Sequence, residues 1–362
     1  MRIFYASHDS GDPFGLKDSK TWYYNLYLPL VDIGHEVIRF NYDLTSYFKN
    51  LNNEVVLSKN RPILEKELLK QIKKVHSDKP ITLFFSYFYS NYCSPEIIKE
   101  ISKMGIVTMN WYCNASYQFD LIKEIAPAYD YCLVPEEFRL EDYKRVDANP
   151  IYCQEAANPQ IYKPYNLPKK YDVTFVGQKY GNRPEYIQYL LNEGINVRVW
   201  GPGWKRRMSL KRALFEKSLD LKRILFGQPP IKGLQHISGE PLVNMELIKM
   251  FSMSRINLGF SSCGETYKTR EPILQIRLRD FEIPMSGGFY MVEYMPELEN
   301  FFEIDREIVC YHSKEDLYEK IRFYLSHPVE CEKIRRAGYK RAVCDHTWQK
   351  RFKDIFNVLG LK

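Results

Sequence analysis

Two stretches of this sequence place residue types at spacings that suit work on anions and hydroxyl groups. The first, Gly177-Gln178-Lys179-Tyr180-Gly181-Asn182-Arg183, follows the apolar run Asp172–Val176 and precedes a segment that opens with Pro184. A strand ending at glycine and a helix beginning at proline leave backbone N–H groups facing one turn. With Lys179 and Arg183 beside them, these form an anion site suited to a diphosphate. A tight strand-to-helix turn with no ligand reads equally well. The second stretch runs from Gln275 to Gly288. Arg277 and Arg279 lie two apart, Glu282 follows three later, and Ser286-Gly287-Gly288 lead into the next apolar run. Arginine forks neutralise phosphate oxygens, and a carboxylate accepts paired hydrogen bonds from vicinal sugar hydroxyls. Gly287 and Gly288 let the backbone approach a ligand closely. A solvated Arg–Glu face is the alternative.

Two loops in the first half are candidates for a second substrate. The loop His8 to Lys17 follows the first strand and contains Gly11 and Gly15, so it suits closure over phosphates or presentation of His8 to an acceptor; a structural histidine is the other reading. Trp111 to Tyr117 follows another strand end. Asn114 and Tyr117 suit hydrogen bonding and stacking on an acceptor sugar, and a packed aromatic loop explains them as well.

Other chemistries lose their motifs. There is no Walker loop, no GxGxxG after the first strand, no HExxH, no GxSxG and no DxD triplet. The eight cysteines form no CxxC pair and no zinc-type spacing, which reads as buried reduced thiols in a cytoplasmic protein. No apolar run reaches the length of a membrane span, and the N-terminal apolar stretch is too short for a secretory signal.

The elements that must position these residues emerge from pattern. A chain of 362 residues, 45% hydrophobic and 27% charged, is a folded protein with room for two domains. The first half reads as strands at Arg2–Ala6, 37–40, 81–85, 106–110 and Tyr131–Val134. A helix capped by Ser19 carries Trp22, Leu26, Leu30 and Ile33, another covers 63–75, and a third opens at Ser94-Pro95. After a proline-rich linker the pattern restarts with strands at 172–176, Val197–Trp200, 256–260, 290–292 and 308–311. Helices are expected at 184–191, 242–251, near Phe281 and from Ser313, where Ser313 and Asp316 suit a capping box. Strands alternating with helices give two doubly wound α/β domains in tandem, with a central cleft as the default ligand site.

The net charge of +7 is unevenly spread. Between Lys205 and Arg223 eight basic residues stand against Glu216 and Asp220. This segment reads as an amphipathic helix suited to an anionic membrane surface or a charged acceptor, or as a solvated helix on its own domain. The remainder is near neutral, which argues against nucleic-acid binding.

The run FEIPMSGGFYMVEYMPELENFFE, the strand and helix EIVCYHSKEDLYEKIRFYLSHP, and the late HTWQKR resemble the C-terminal domain of the group 1 glycosyl transferases, in the CgeB-like branch. DVTFVGQKYGNR, VRVWGPGW and LIKMFSMSRINLGFS fit the same branch, and WYYNLYLPLVDIGHEV fits it more loosely. The resemblance implies a GT-B fold, with two Rossmann-like doubly wound domains facing a central cleft. An acceptor-side domain would cover 1–160 and a nucleotide-sugar donor domain 161–345, with the last helix, 346–362, crossing back. It implies sugar transfer from a nucleotide-diphosphate sugar to a hydroxyl acceptor such as a surface or spore glycan. Retention of configuration and no metal or other cofactor come with it.

By position, Glu282 resembles the second glutamate of the family's acidic pair, which holds the donor ribose. Leu274 stands where the first is expected, so Gln275 or Arg277 would replace it. Lys179 and Arg183 resemble the family's diphosphate-binding cations. Trp200, Gly201 and the turn at Gly239 would border the base, and Arg279 would support leaving-group departure. A nucleotide-sugar epimerase, or a sugar- or nucleotide-binding protein of the same fold without turnover, are the alternatives.

Overall fold

The computed structural model describes residues 1–9, 16, 18–48, 54–205 and 233–361. Gly11, Gly15 and Lys17 of the His8 loop lie outside the described residues, as does the basic segment from Arg206 to Arg223.

The chain folds as two compact units. The first comprises Met1–Lys163, Ile273–Met285 and Tyr339–Lys362; the second comprises Pro164–Pro272 and Ser286–Gly338. The sequence reading places 273–285 with the donor domain and ends that domain at 345, whereas the structure groups 273–285 and 339–345 with the first unit. The reason for 273–285 is burial. Ile276, Phe281 and Ile283 are inaccessible, the Phe281 ring lies 5.2 Å from that of His346, and Leu278 packs on the first core.

The first unit holds a parallel sheet of six strands: β1 (Arg2–Ala6), β2 (Glu36–Arg39), β3 (Leu83–Ser86), β4 (Val107–Trp111), β5 (Tyr131–Val134) and β6 (Pro150–Tyr152), in the order β2-β1-β3-β4-β5-β6. β3 is buried at all four positions, as a strand covered on both faces requires. β2 is an edge strand whose ends, Glu36 and Arg39, are exposed. β6 escapes the sequence reading because it is short and begins with Pro150, which only an edge strand tolerates. The last helix, Trp348–Val358, buries Trp348, Phe352, Ile355 and Phe356 in this core, with Trp348 edge-on to Trp111 at 5.0 Å.

Two helices depart from expectation at prolines. The helix expected over 63–75 runs over Glu54–Asp78 and contains Pro62. The helix expected to run evenly from Ser19 instead passes through a π-helical turn, Tyr23–Tyr27, before an α-helical segment, Leu28–Asp32. Pro29 has no N–H for the Asn25 carbonyl, and its ring needs room there, so the turn widens by one residue. Leu28 N–H then bonds to the Tyr23 carbonyl.

The second unit holds β7 (Tyr171–Val176), β8 (Val197–Trp200), β9 (Ser238–Gly239), β10 (Ser254–Gly259), β11 (Tyr290–Glu293) and β12 (Val309–Tyr311), also all parallel, in the order β12-β11-β10-β7-β8-β9. The sheet reverses direction of growth at its first strand, as doubly wound sheets of the Rossmann type do. Ser313 caps the helix Lys314–Ser326 through the Asp316 N–H, as the sequence predicts.

Candidate functional site

In the second unit the strand order reverses between β7 and β10. The C-terminal edge of the sheet between these strands is therefore the switch point, the crevice position at which doubly wound sheets bind ligands. Gly177 to Arg183 leave β7, and Ser261 to Gly264 leave β10. At Gly181, φ is +59°, and a Cβ there would lie 2.7 Å from the Gly264 carbonyl oxygen. The loop after β8 is drawn in as well. Gly177 N–H donates to Trp200 O and Lys179 N–H to Pro202 O, each at 2.9 Å, while the Trp204 indole donates to Gly177 O at 2.7 Å.

Gly201 has φ of +143°, and a Cβ on it would sit 2.1 Å from the Gly177 carbonyl oxygen, so only glycine fits. The Trp200 ring fills the space a side chain on Gly239 would need, again at 2.1 Å. Gly177, Lys179, Trp200, Gly201 and Gly239 are thus brought together.

The two cations of this loop behave differently. Arg183 is only 5% exposed; it donates to Gln178 O at 2.9 Å and to the Tyr180 hydroxyl at 2.7 Å, and its guanidinium lies 3.8 Å from the Tyr180 ring centroid. Arg183 therefore fastens the loop, a role the sequence reading did not assign. Lys179 has its ammonium 5.8 Å from the Trp204 ring centroid.

Glu293, at the end of β11, braces the β10 loop. Its carboxylate accepts from Ser261 N–H and Ser262 N–H, both at 2.9 Å, and from Asn182 Nδ2 at 3.2 Å. Sequence reasoning missed Glu293, Ser261 and Trp204; their signal was position, each lying at or just beyond a strand end.

Ser286, Gly287 and Gly288 are placed elsewhere. They precede β11 and so lie at the N-terminal edge of the same sheet, opposite the crevice. Ser286 is buried, and Gly287, at φ +67°, packs against Pro164 and Arg335. The close backbone approach expected there is to the protein's own chain.

In the first unit the order reverses between β1 and β3. His8 leaves β1 and Tyr87 leaves β3, and their rings meet edge-on at 5.5 Å. His8 is 3% exposed. The Tyr87 hydroxyl contacts the Cys113 sulfur at 3.3 Å, and burial holds both groups protonated far above their ordinary pKa values. Beyond β4, Asn114 is half-buried and precedes the short helix Ala115–Gln118, on which Tyr117 is 46% exposed.

The Gln275–Glu282 stretch is clamped into this unit. Gln275 Nε2 donates to Cys113 O at 2.6 Å, and Ser116 Oγ donates to Gln275 Oε1 at 3.1 Å. Arg277 N–H donates to Asp280 Oδ2 at 2.7 Å. Glu282 is wholly buried: it pairs with Arg279 and accepts from Asn25 Nδ2 at 3.3 Å. The same amide donates to the Tyr162 hydroxyl at 3.3 Å, and Asn25 Oδ1 accepts from Asn158 N–H at 3.2 Å. A ribose contact at Glu282 requires the exchange of one of these partners. Asn25, Tyr162 and Asn158 had no sequence signal, since their contacts span more than a hundred residues.

Glu155, beyond β6, is 4% exposed, and burial together with Glu136 and Asp280 pushes its carboxyl up to about 8, against the pull of Arg277. Such a carboxyl is neutral at pH 7. Among the described residues, no group of three or more His, Cys, Asp or Glu is placed to hold a metal ion, and none of the eight cysteines is in a disulfide. No described helix is long and apolar enough to cross a membrane.

Two parallel Rossmann-like sheets with strand-end loops of this kind define the GT-B class, and comparison with solved structures returns it. Anabaena Alr3699/HepE in complex with UDP-glucose aligns over 99% of both chains with a TM-score of 0.58 at 9% identity. Sucrose-phosphate synthase from Thermosynechococcus elongatus aligns over 99% of this chain and 98% of that one, at 0.57 and 12%. A glycosyltransferase from Rickettsia africae ESF-5 covers 99% and 97%, at 0.54 and 10%. At these identities the likeness is one of fold. Within the class, residues 183–357 match the family model described as glycosyl transferase-like. The spore protein CgeB of Bacillus subtilis (strain 168) is 21% identical over 244 residues, 66% of this chain and 71% of that protein. The CgeB-like resemblance read from the sequence is borne out.

Proposed function

We propose that this chain moves a sugar from a nucleotide-diphosphate sugar to a hydroxyl acceptor. The observation that carries the reading is the β7/β10 switch point, where three glycine-bearing strand ends converge beside Lys179 and the start of the helix Arg183–Asn192. Backbone N–H groups and an ammonium there suit the donor diphosphate, and Trp200 suits the base. As the bond to the diphosphate breaks, negative charge grows on it, and Lys179 is assigned to stabilise that charge, with no metal invoked.

On the first unit, His8, Asn114 and Tyr117 are assigned to the acceptor. The UDP-glucose named with the Anabaena structure supports a nucleotide-sugar donor, here a hexosyl one, and the CgeB likeness supports a spore or surface glycan acceptor. Retention of configuration is carried over from the class resembled. The reaction is placed in the cytoplasm, with contact to an anionic membrane surface through 205–223; co-sedimentation with phosphatidylglycerol vesicles tests that contact.

The decisive experiment titrates UDP, GDP, ADP and dTDP sugars by calorimetry and monitors nucleotide release. One of them should bind, and Lys179→Ala should weaken it about ten-fold, or about 1.4 kcal/mol. Absence of binding by all four classes overturns the proposal. A second reading, a nucleotide-sugar-binding protein without turnover, is favoured by one observation: Glu282 is already engaged by Arg279 and Asn25. Tight binding with no nucleotide release, with or without added acceptor glycans, would select it.

A further inference from the structure

The N-terminal edge of the second sheet carries a cavity of about 390 Å³, lined by Pro164, Tyr165, Leu167, Lys169, Gly287 and Arg335 among others. It lies at the end of the sheet opposite the Gly177–Arg183 crevice, because Lys169 precedes β7 and Gly287 precedes β11. Its volume falls in the range of small-molecule sites.

The charges on its wall are out of balance. Lys169 Nζ donates to Ser252 O and Ser254 O, both at 2.9 Å, which uses two of the three N–H groups of the ammonium. Arg335 donates to both oxygens of Glu332 at 2.7 Å and to Gly287 O at 3.0 Å, three of its five donors. Glu332, the acidic residue of the lining, is also bound by Arg336 and is held down to about 2 by these arginines, so its carboxylate is shared between two guanidinium groups. Burial and the neighbouring Arg335 charge push Lys169 down to about 8. Lys169 and Arg335 together outnumber the one carboxylate of this wall, and an oxyanion would offset the surplus and take the remaining N–H donors.

We propose that this cavity binds a small phosphate-bearing anion through Lys169 and Arg335, at a site distinct from the crevice of the same unit. The inference does not rest on the glycosyltransferase reading. Pro164, Tyr165 and Leu167 beside the cations give an apolar wall for the group to which the phosphate is attached.

The test titrates the full chain with inorganic phosphate and, separately, with glucose 6-phosphate, by calorimetry. Saturable binding is expected, with at least ten-fold loss in Lys169→Met and retention in Lys169→Arg. The tighter of the two ligands says whether free phosphate or a phosphomonoester is preferred. No saturable binding of either overturns the proposal. So does binding that survives in folded Lys169→Met but is lost in Lys179→Ala, which would assign it to the crevice. Should Lys169→Met fail to fold by circular dichroism, wild-type crystals soaked in tungstate decide: density beside Lys169 and Arg335 supports the site, and its absence there refutes it.

Discussion

The two strand-end regions are built by opposite means. The β7/β8/β10 edge of the second unit is made of backbone: glycines at 177, 181 and 201 let three loops lie within contact of each other, and side chains such as Arg183 and Glu293 only fasten them. The corresponding edge of the first unit is made of side chains, with Asn25, Glu155, Gln275 and Glu282 buried in hydrogen-bonded or charge-coupled positions. A backbone-built edge offers donors to any anion that fits, whereas a side-chain-built edge is specific and sensitive to each group's ionisation. Under the proposed function, the backbone-built edge would take the donor diphosphate and the side-chain-built edge a particular acceptor.

Four changes break or sharpen this contrast. Gly201→Ala forces a Cβ to 2.1 Å from a carbonyl oxygen at a φ that alanine avoids, and should cost on the order of 4 kcal/mol, read by urea unfolding. A loss below about 1 kcal/mol would show that the edge is not backbone-limited. Glu282→Ala leaves Arg279 and Asn25 without their buried acceptor and should cost about 3 kcal/mol. In the same variant, unchanged donor affinity by calorimetry would remove Glu282 from the donor site while leaving its structural role.

Glu155→Gln tests ionisation. Burial raises this carboxyl from 4.5 to about 8, so between those values the folded chain keeps a proton that the unfolded chain has lost. Its contribution is therefore full below pH 4.5 and falls away as pH rises through 8. The variant should flatten that decline and be more stable than wild type at about pH 9, on the order of 2 kcal/mol; parallel stability curves from about pH 5 to 9 would refute the assignment. Lys179→Ala is the smallest perturbation to folding, within about 0.5 kcal/mol. A larger fall in the thermal midpoint would mean that Lys179, like Arg183, is a fastener.

Most of the fold was legible because parallel strands covered on both faces leave unmistakable apolar runs: β1, β5 and β8 sit at the residues the pattern predicts. The elements that escaped were short or proline-marked, namely β6 with Pro150, β9 with two residues, and the helix through Pro62. The glycine-bearing turns of the second unit were legible because glycines after strands are visible in one dimension. Arg183 had the right position and another role, because an exposed and a buried arginine look alike in a sequence. Ser286-Gly287-Gly288 misled because glycine marks close approach without saying to which partner. The Asn25–Glu282 contact joins residues 257 apart, a separation that no local pattern encodes.

The π-helical turn at Tyr23–Tyr27 has the character of a one-residue insertion accommodated in a helix. Deleting Tyr24 leaves Pro29 four residues after Asn25, so the turn keeps its reason to widen, while the loss of one residue turns the part of the helix before the deletion by about 100° relative to the part after it. Helix content by circular dichroism would barely change, while Trp22 would be carried away from the Tyr87 ring, now 5.2 Å off, and the thermal midpoint should fall. The chain's length at that turn, as much as the identity of any side chain, thus sets which residue of the first helix meets the end of β3.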